Sequence, residues 1–492
     1  MSNKPVIIII FLCLLSVAEA QTHEAIEQFV NCKDMEGASF SMMVKEVDSG
    51  AIIYSYDAGR KVIPASVLKL VTTASAIELL GPGYRFETVL EYEGLIADSV
   101  LAGNLYIRGS GDPSLGSSHF AADRNSYTPA QNTFIPQWIA ALKEKGIKQI
   151  KGSVISDESI FDTEGVSMKW LQEDIGVSYG AGSYGLSVFD NLYKLYFSTG
   201  VKGSRPELVS VVPDIKSLRF HNYLVSAPVV NDSAYITGAP FSGERYLYGV
   251  LPAERKRIMI RGAIPDPPLF LAQYFRDRLQ DSGIVVEGEA RTYRLLQEEN
   301  KISEAERKAI AVTYSPTLRE IVRVTNERSH NLYADALLKT LGAKYGSKYD
   351  ETLSTSGKGI RIVSSYWQEK GLDVSSLWMF DGNGLSVSNK VTATFICELL
   401  TYMATKSSQS EAFITSLPKA GMEGTVSGIL KGAPLQGKAL LKSGGMSRVR
   451  AYGGYITKGD KRYALALFAN NYTCSMQEIT KEIEALLAAL FK

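Results

Sequence analysis

Alternation and helical spacing of apolar positions divide the chain into stretches of different character. Phe40-Ser41-Met42-Met43-Val44-Lys45 and Ala51-Ile52-Ile53-Tyr54-Ser55-Tyr56 flank Asp48-Ser49-Gly50, which predicts two strands joined by a tight turn. Beyond Pro64, the residues Val67, Leu70, Val71, Ala74, Ile77 and Leu80 recur at helical spacing until Gly81, so a helix is predicted over Ser66–Leu80 with Ser66 at its N-terminus. From about Arg85 to Ala309, short alternating segments such as Gly103–Arg108 are broken by Gly, Asp and Pro, and this middle reads as largely β. Helical periodicity returns at Ser315-Pro316-Thr317-Leu318, read as an N-cap followed by Pro at N1, and continues in pieces to about Met403. Strands are predicted again at Val449–Thr457 and Lys461–Asn470. A final helix from about Ser475 to Phe491 places Ile479, Ile483, Leu486, Leu487 and Leu490 on one face, suited to packing on a sheet.

The N-terminus sets the compartment. Lys4 precedes an apolar run from Val6 to Val17 and then Ala18-Glu19-Ala20, the pattern of a secretory leader cleaved before Gln21. The run is well short of the ~20 residues that span a bilayer, so an exported product, in the periplasm or cell envelope and at most peripherally attached to membrane, is expected. At 492 residues the chain exceeds the ~100–200 residues of one domain. A net charge of +1 gives no footing for nucleic acid, whose recognition requires clustered basic excess. His23, His119, His221 and His330 stand in no zinc-binding motif, and no C-x-x-C occurs, so neither a metal nor a cofactor is expected. Cys32, Cys397 and Cys474 allow at most one disulfide in the exported chain.

Three short motifs carry chemistry: Ser66-Val67-Leu68-Lys69, Ser329-His330-Asn331 and Lys442-Ser443-Gly444. Residues i and i+3 share a helix face, so the Lys69 amine can reach the Ser66 hydroxyl, and burial would keep that amine neutral enough to act as a base. Ser-x-x-Lys alone is a weak signal. Ser416-Leu417-Pro418-Lys419 also matches, with Pro418 opposing a helix start, and Ser66 by itself could be a helix cap beside a solvated Lys69. Ser329-His330-Asn331 falls in a break between two helical stretches, where a hydroxyl and an amide can face a cleft. Lys442-Ser443-Gly444 ends a strand-like Ala439–Leu441, and the glycines there let a ligand lie along the strand edge. Either could instead be a plain cap or turn. A Ser-His-Asp hydrolase is the rival, but no G-x-S-x-G occurs and His330, adjacent to Ser329, is poorly placed as its base.

With those motifs, Gly109–Leu115, Tyr179-Gly180-Ala181-Gly182, Asp381–Ser386 and Leu417–Thr425 resemble blocks of the class C penicillin-binding proteins, the D-alanyl-D-alanine carboxypeptidase/endopeptidases of the bacterial cell wall. The resemblance covers most of the mature chain and accounts for the long separation of Ser66 from Ser329. It implies an α+β fold: a serine β-lactamase/penicillin-binding transpeptidase-like core, an antiparallel sheet with helices, built from 21–86 and 310–492. Two nested β-rich domains would be inserted, one from 87–110 and 195–309, the second from 111–194.

The resemblance also implies that Ser66 attacks the carbonyl between two D-alanines of a peptidoglycan peptide while Lys69 takes its proton. Ser329 would pass a proton to the leaving amine, Asn331 and Lys442 would position the substrate, and the amides of Ser66 and Gly445 would form the oxyanion hole. Trp170, Asp174, Tyr179 and Met446 match positions lining the stem-peptide pocket, and β-lactam antibiotics would acylate the same serine. Three positions depart from the family pattern: Ser443 replaces the usual Thr, Gly445 replaces a Thr whose hydroxyl holds the substrate carboxylate, and Val387 replaces an Arg that meets an acidic stem. Ser443 or Ser447 is the hydroxyl that would compensate. A β-lactamase and a noncatalytic peptidoglycan-binding protein are the alternatives. The first lacks an evident deacylating base, and the second gives no reason to retain all five core residues.

Overall fold

The computed structural model describes residues 24–492 apart from Asn125, so the leader predicted at 1–20 lies outside the described residues. Its organising element is a five-stranded antiparallel sheet that joins the two ends of the chain. The strands are β1 (Ser39–Glu46), β2 (Ile52–Tyr56), β3 (Ala439–Met446), β4 (Val449–Lys458) and β5 (Lys461–Asn470), ordered β2-β1-β5-β4-β3. Ser39 pairs with Asn470 and Glu46 with Tyr463, so a strand from the start of the chain is zipped along its whole length to one from the end. The consecutive apolar residues Met42, Met43 and Val44 in β1 are all buried, as a strand covered on both faces requires.

One face is covered by α1 (Lys69–Leu80), α2 (Leu318–Arg328), α3 (Asn331–Tyr345) and α4 (Ala393–Thr405), which share one apolar cluster with Met43, Ala451, Tyr455 and Phe468. The other face is covered by α5 (Met476–Leu490), whose Ile479, Ile483, Leu486, Leu487 and Leu490 are buried against Leu465 and Leu467. Ser475 and Glu478 start α5 with a reciprocal capping box, which satisfies two backbone N–H groups the first turn leaves without partners. The terminal helix therefore packs on the sheet, as its apolar stripe predicts.

Local starts and ends differ from the sequence reading in ways that matter for the site. Ser66 does not cap an α-helix: Ala65–Leu68 form a tighter 3-10 turn, and α1 begins only at Lys69. The cap of α2 is Thr317, paired with Glu320, while the Ser315 hydroxyl accepts the amide of Phe86. Strand β3 runs on through Lys442-Ser443-Gly444 to Met446 instead of ending there, because Lys442–Met446 pair in register with Gly453–Val449.

The insertion is less purely β than its sequence suggests, since Phe134–Glu144 and Pro267–Asp281 are helices. Strand pairing also divides it differently from the expected 111–194 unit. Val154–Asp157 pairs in parallel with Leu105–Arg108, and Lys308–Tyr314 pairs with Glu87–Tyr92, so these segments belong to one sheet. Apart from it, Leu95–Ala97, Val100–Ala102, Gln149–Ile150 and Val285–Val286 form a four-stranded sheet, and Leu192–Ser198, Glu207–Val212 and Ile258–Ala263 form another, with smaller sheets between Arg219 and Pro252. Every residue of Val154–Asp157 is buried, so that strand carries no alternation to reveal that it is sandwiched between partners.

Candidate active site

Ser66 lies in a turn built by close backbone approaches. Ala65, immediately before it, is held at φ +44°, a conformation a non-glycine residue adopts only when its surroundings impose it. The loop Asp381–Ser386 presses on this turn. A Cβ on Gly384 would stand 1.9 Å from the Ala65 carbonyl oxygen, so only glycine permits the approach. From the other side comes β3, where a Cβ on Gly444 would fall 3.2 Å from the Ser66 amide nitrogen. Helix and strand edge thus face each other across the hydroxyl.

Lys69 occupies the centre of the constellation. Fully buried, its Nζ donates to Ser66 Oγ at 2.9 Å, Asn331 Oδ1 at 2.6 Å and the Asn383 carbonyl at 2.6 Å. Burial pushes the amine down to about 7, against the opposing fields of Asp335 and Asp381. These acids are fixed by the loop they help fold. Asp335 accepts the Gly382 amide and Asn383 Nδ2, while Asp381 accepts the amides of Gly384 and Ser386. Burial, reinforced by Asp381, pushes the Asp335 carboxyl up.

Ser329 and Asn331 occupy the predicted break: Ser329 ends α2 in the left-handed conformation and Asn331 begins α3. Lys442 Nζ, also fully buried, donates to Ser329 Oγ at 2.8 Å and to the Ser443 carbonyl at 2.6 Å. Burial, then the charges of Lys69 and Arg450, push this amine well below the ordinary lysine range. Direct hydrogen bonds thus form two groups, Ser66, Lys69 and Asn331 in one and Ser329 and Lys442 in the other, and the short segment from Ser329 to Asn331 joins them. The second Ser-x-x-Lys plays another part, since Ser416 is buried and accepts from Asn326 Nδ2 at 2.8 Å.

The outer residues are placed less uniformly. The Tyr179 carbonyl accepts Asn331 Nδ2 at 2.8 Å, and its half-exposed ring faces the Asp174 carboxylate. Asp174 is buried, which pushes its carboxyl up against the donating Tyr179 hydroxyl. Trp170 is buried and donates its indole N–H to Asp381 at 2.9 Å, so it braces the loop that holds Lys69. Ser443 Oγ lies 2.8 Å from Thr425 Oγ1. Gly445 and Ser447 are exposed at the end of β3, Met446 is half-buried between them, and the Val387 side chain is 37% exposed.

Sequence reasoning assigned no part to Asn383, Asp335, Asp381, Thr425 or Arg450. Asn383 and Asp381 lie in a recognisable Asp-Gly-Asn-Gly turn, but nothing in that turn announces that its carbonyl reaches Lys69. Arg450 pairs in register with Gly445, and its Nη1 lies 3.3 Å from where a Gly445 Cβ would stand. Its guanidinium meets Met476 Sδ at 3.9 Å and the Tyr452 ring at 4.8 Å, and among the described residues no carboxylate lies within ion-pair distance of it.

Known proteins resemble this chain along most of its length. A profile of the D-Ala-D-Ala carboxypeptidase 3 (S13) family matches residues 22–490. The chain is 26% identical over 472 residues to a D-alanyl-D-alanine carboxypeptidase of Actinomadura sp. strain R39, covering 92% of this chain and 81% of that protein. It is 25% identical over 446 residues to the D-alanyl-D-alanine carboxypeptidase DacB of Haemophilus influenzae, covering 89% and 86%. The crystal structure of penicillin binding protein 4 from Haemophilus influenzae superposes with a TM-score of 0.76 at 22% identity, covering 92% of this chain and 95% of that one. That protein has also been solved with a β-lactam.

Proposed function

The chain belongs to the D-Ala-D-Ala carboxypeptidase 3 (S13) family, and from that premise we propose that it hydrolyses D-alanyl-D-alanine and related cross-link bonds of peptidoglycan peptides through an acyl-enzyme on Ser66. The observation that carries this reading is the Lys69 amine, buried, lowered to about 7 and 2.9 Å from Ser66 Oγ. Neutral Lys69 takes the hydroxyl proton as Ser66 Oγ bonds to the carbonyl carbon. The developing oxyanion is held by the amides of Ser66 and Gly445. As the C–N bond breaks, the proton that Lys69 took is relayed through Ser329, bonded to Lys442, to the leaving amine, and Lys69 is neutral again. Water then attacks the ester, its proton returns to Ser66 Oγ, and the shortened peptide leaves.

Recognition of the substrate follows from the strand half of the site. With no hydroxyl on Gly445, the Arg450 guanidinium beside it, which has no carboxylate partner among the described residues, supplies a fork of donors for the terminal carboxylate, with Ser443 held ready by Thr425. β-Lactams acylate the same serine. An exported location suits these substrates, and among the described residues no helix is long and apolar enough to cross a membrane. The test is release of D-alanine from a stem pentapeptide ending in D-Ala-D-Ala. Release by the wild type and none by Ser66→Ala supports the reading; equal release by both removes Ser66 from the reaction.

A further inference from the structure

A second constellation lies behind Ser329 and takes no part in the reaction described above. His119 sits on the turn Ser118–Phe120, Asp190 in the turn Phe189–Asn191, and His330 between Ser329 and Asn331. Three distant segments of sequence therefore converge, two from the insertion and one from the core. One donor atom from each residue, an imidazole nitrogen or a carboxylate oxygen, lies within 4.8 Å of the other two. His330 Nε2 stands 3.6 Å from Asp190 Oδ1, outside hydrogen-bond distance, and the imidazoles of His119 and His330 meet edge to face at 5.2 Å between centroids. Asp190 is 6% exposed, and Nδ1 of His330 is buried with no hydrogen-bond partner among the described residues. These donors face one another without satisfying one another, and a buried carboxylate in that setting calls for a cation.

The surroundings hold the group in place. The Tyr333 hydroxyl donates to Asp190 Oδ1 at 3.1 Å and lies 2.7 Å from Ser117 Oγ, while its ring stacks on His330 at 4.0 Å. Such outer contacts orient metal ligands. Two nitrogens and one carboxylate suit a borderline ion of the zinc class better than magnesium or calcium, which take oxygen ligands. Ligand bonds of ~2.0–2.2 Å require donors ~3.4 Å apart in a tetrahedral site. The donors, which lie within 4.8 Å of one another, would draw together on the ion, and His119 stands on a half-buried turn.

We propose that His119, Asp190 and His330 bind a zinc-class divalent ion that fastens the insertion to the segment carrying Ser329 and Asn331, with a fourth position left for water. Ser329 and Asn331 turn toward Lys442 and Lys69, while His330 between them turns toward His119. The ion would therefore stabilise the cleft wall without touching Ser66.

The test uses the purified chain without an affinity tag, stripped with chelator, equilibrated with Zn2+ and desalted before metal analysis. One ion should be retained per wild-type chain, with a rise in thermal midpoint, and Co2+ should give the visible bands of a tetrahedral site. His119→Gln and Asp190→Asn should each lose the ion and the rise in midpoint, while metal-free His119→Gln should acylate with benzylpenicillin at the rate of the metal-free wild type. Absence of retained zinc and of cobalt bands in the wild type overturns the proposal, as does equal retention by both variants.

Discussion

The two lysines of the cleft are equally buried, and their neighbours differ in sign. On the helix side Lys69 has three oxygen acceptors and the fields of Asp335 and Asp381, which oppose burial and leave it at about 7. On the strand side Lys442 has the Ser329 hydroxyl and the Ser443 carbonyl, and its charged neighbours Lys69 and Arg450 add to the effect of burial. The same residue type is thereby given two tasks. Lys69 can gain and lose a proton near neutrality, whereas Lys442 works as a hydrogen-bonding amine beside Ser329. Arg450 adds a positive charge to the strand half, because its guanidinium keeps its proton in a protein.

Removing the helix-side base should have the largest effect. Lys69→Ala is expected to slow acylation by benzylpenicillin ~10²–10⁴-fold, and Lys69→Arg should not restore it, because a guanidinium cannot take the proton. Stopped-flow acylation rates check this; rescue by arginine would mean that charge, not proton transfer, is what Lys69 supplies. Next comes the strand half. Arg450→Gln should raise KM ~10–100-fold for peptides with a free C-terminal carboxylate, the weight of one charge-assisted hydrogen bond, with little change in kcat. An amidated peptide should show no such difference between wild type and variant. A KM that rises equally for both peptides would separate Arg450 from carboxylate recognition.

The pH dependence sharpens the contrast further. The reactive form of Lys69 is the free amine, which accumulates as pH rises through about 7, so acylation should fall ~10-fold per pH unit well below that point. A rate flat from pH 5 to 8 would contradict a base lowered to that range. The smallest effect is expected at Gly445. The nearest atoms to an added Cβ are the flexible ends of Arg450 and Met476, at 3.3–3.5 Å. Gly445→Thr should therefore fold and change KM less than ~3-fold while Arg450 is present. A much larger gain in affinity would show that the hydroxyl, and not the guanidinium, is the missing carboxylate ligand.

The two halves were unequally legible in the sequence. Ser66 and Lys69 are linked by local helical spacing, and the hairpin, the last strands and α5 announce themselves by alternation or by an apolar stripe. What escaped was contact across distance. The carbonyl of Asn383 and the acids Asp335 and Asp381 meet Lys69 only after the Asp381–Ser386 loop folds onto Ala65, an approach that shows in sequence merely as Gly384. Arg450 faces Gly445 through strand register, which a hydrophobic pattern does not specify for an exposed strand end. Strand pairing within the insertion is hidden in the same way, because Val154–Asp157, buried throughout, carries no periodicity to name its neighbours. His119, Asp190 and His330 belong to the same class of feature, residues unremarkable in the chain and adjacent in space.

The most direct test of Ser66 as the nucleophile is time-resolved intact-mass spectrometry of the chain with benzylpenicillin, followed by peptide mapping, beside Ser66→Ala. One lasting adduct of the antibiotic's mass is expected on the Ser66 peptide of the wild type and none on the variant. An adduct that persists on Ser66→Ala, or a wild type that leaves the antibiotic unchanged and carries no adduct, would contradict it.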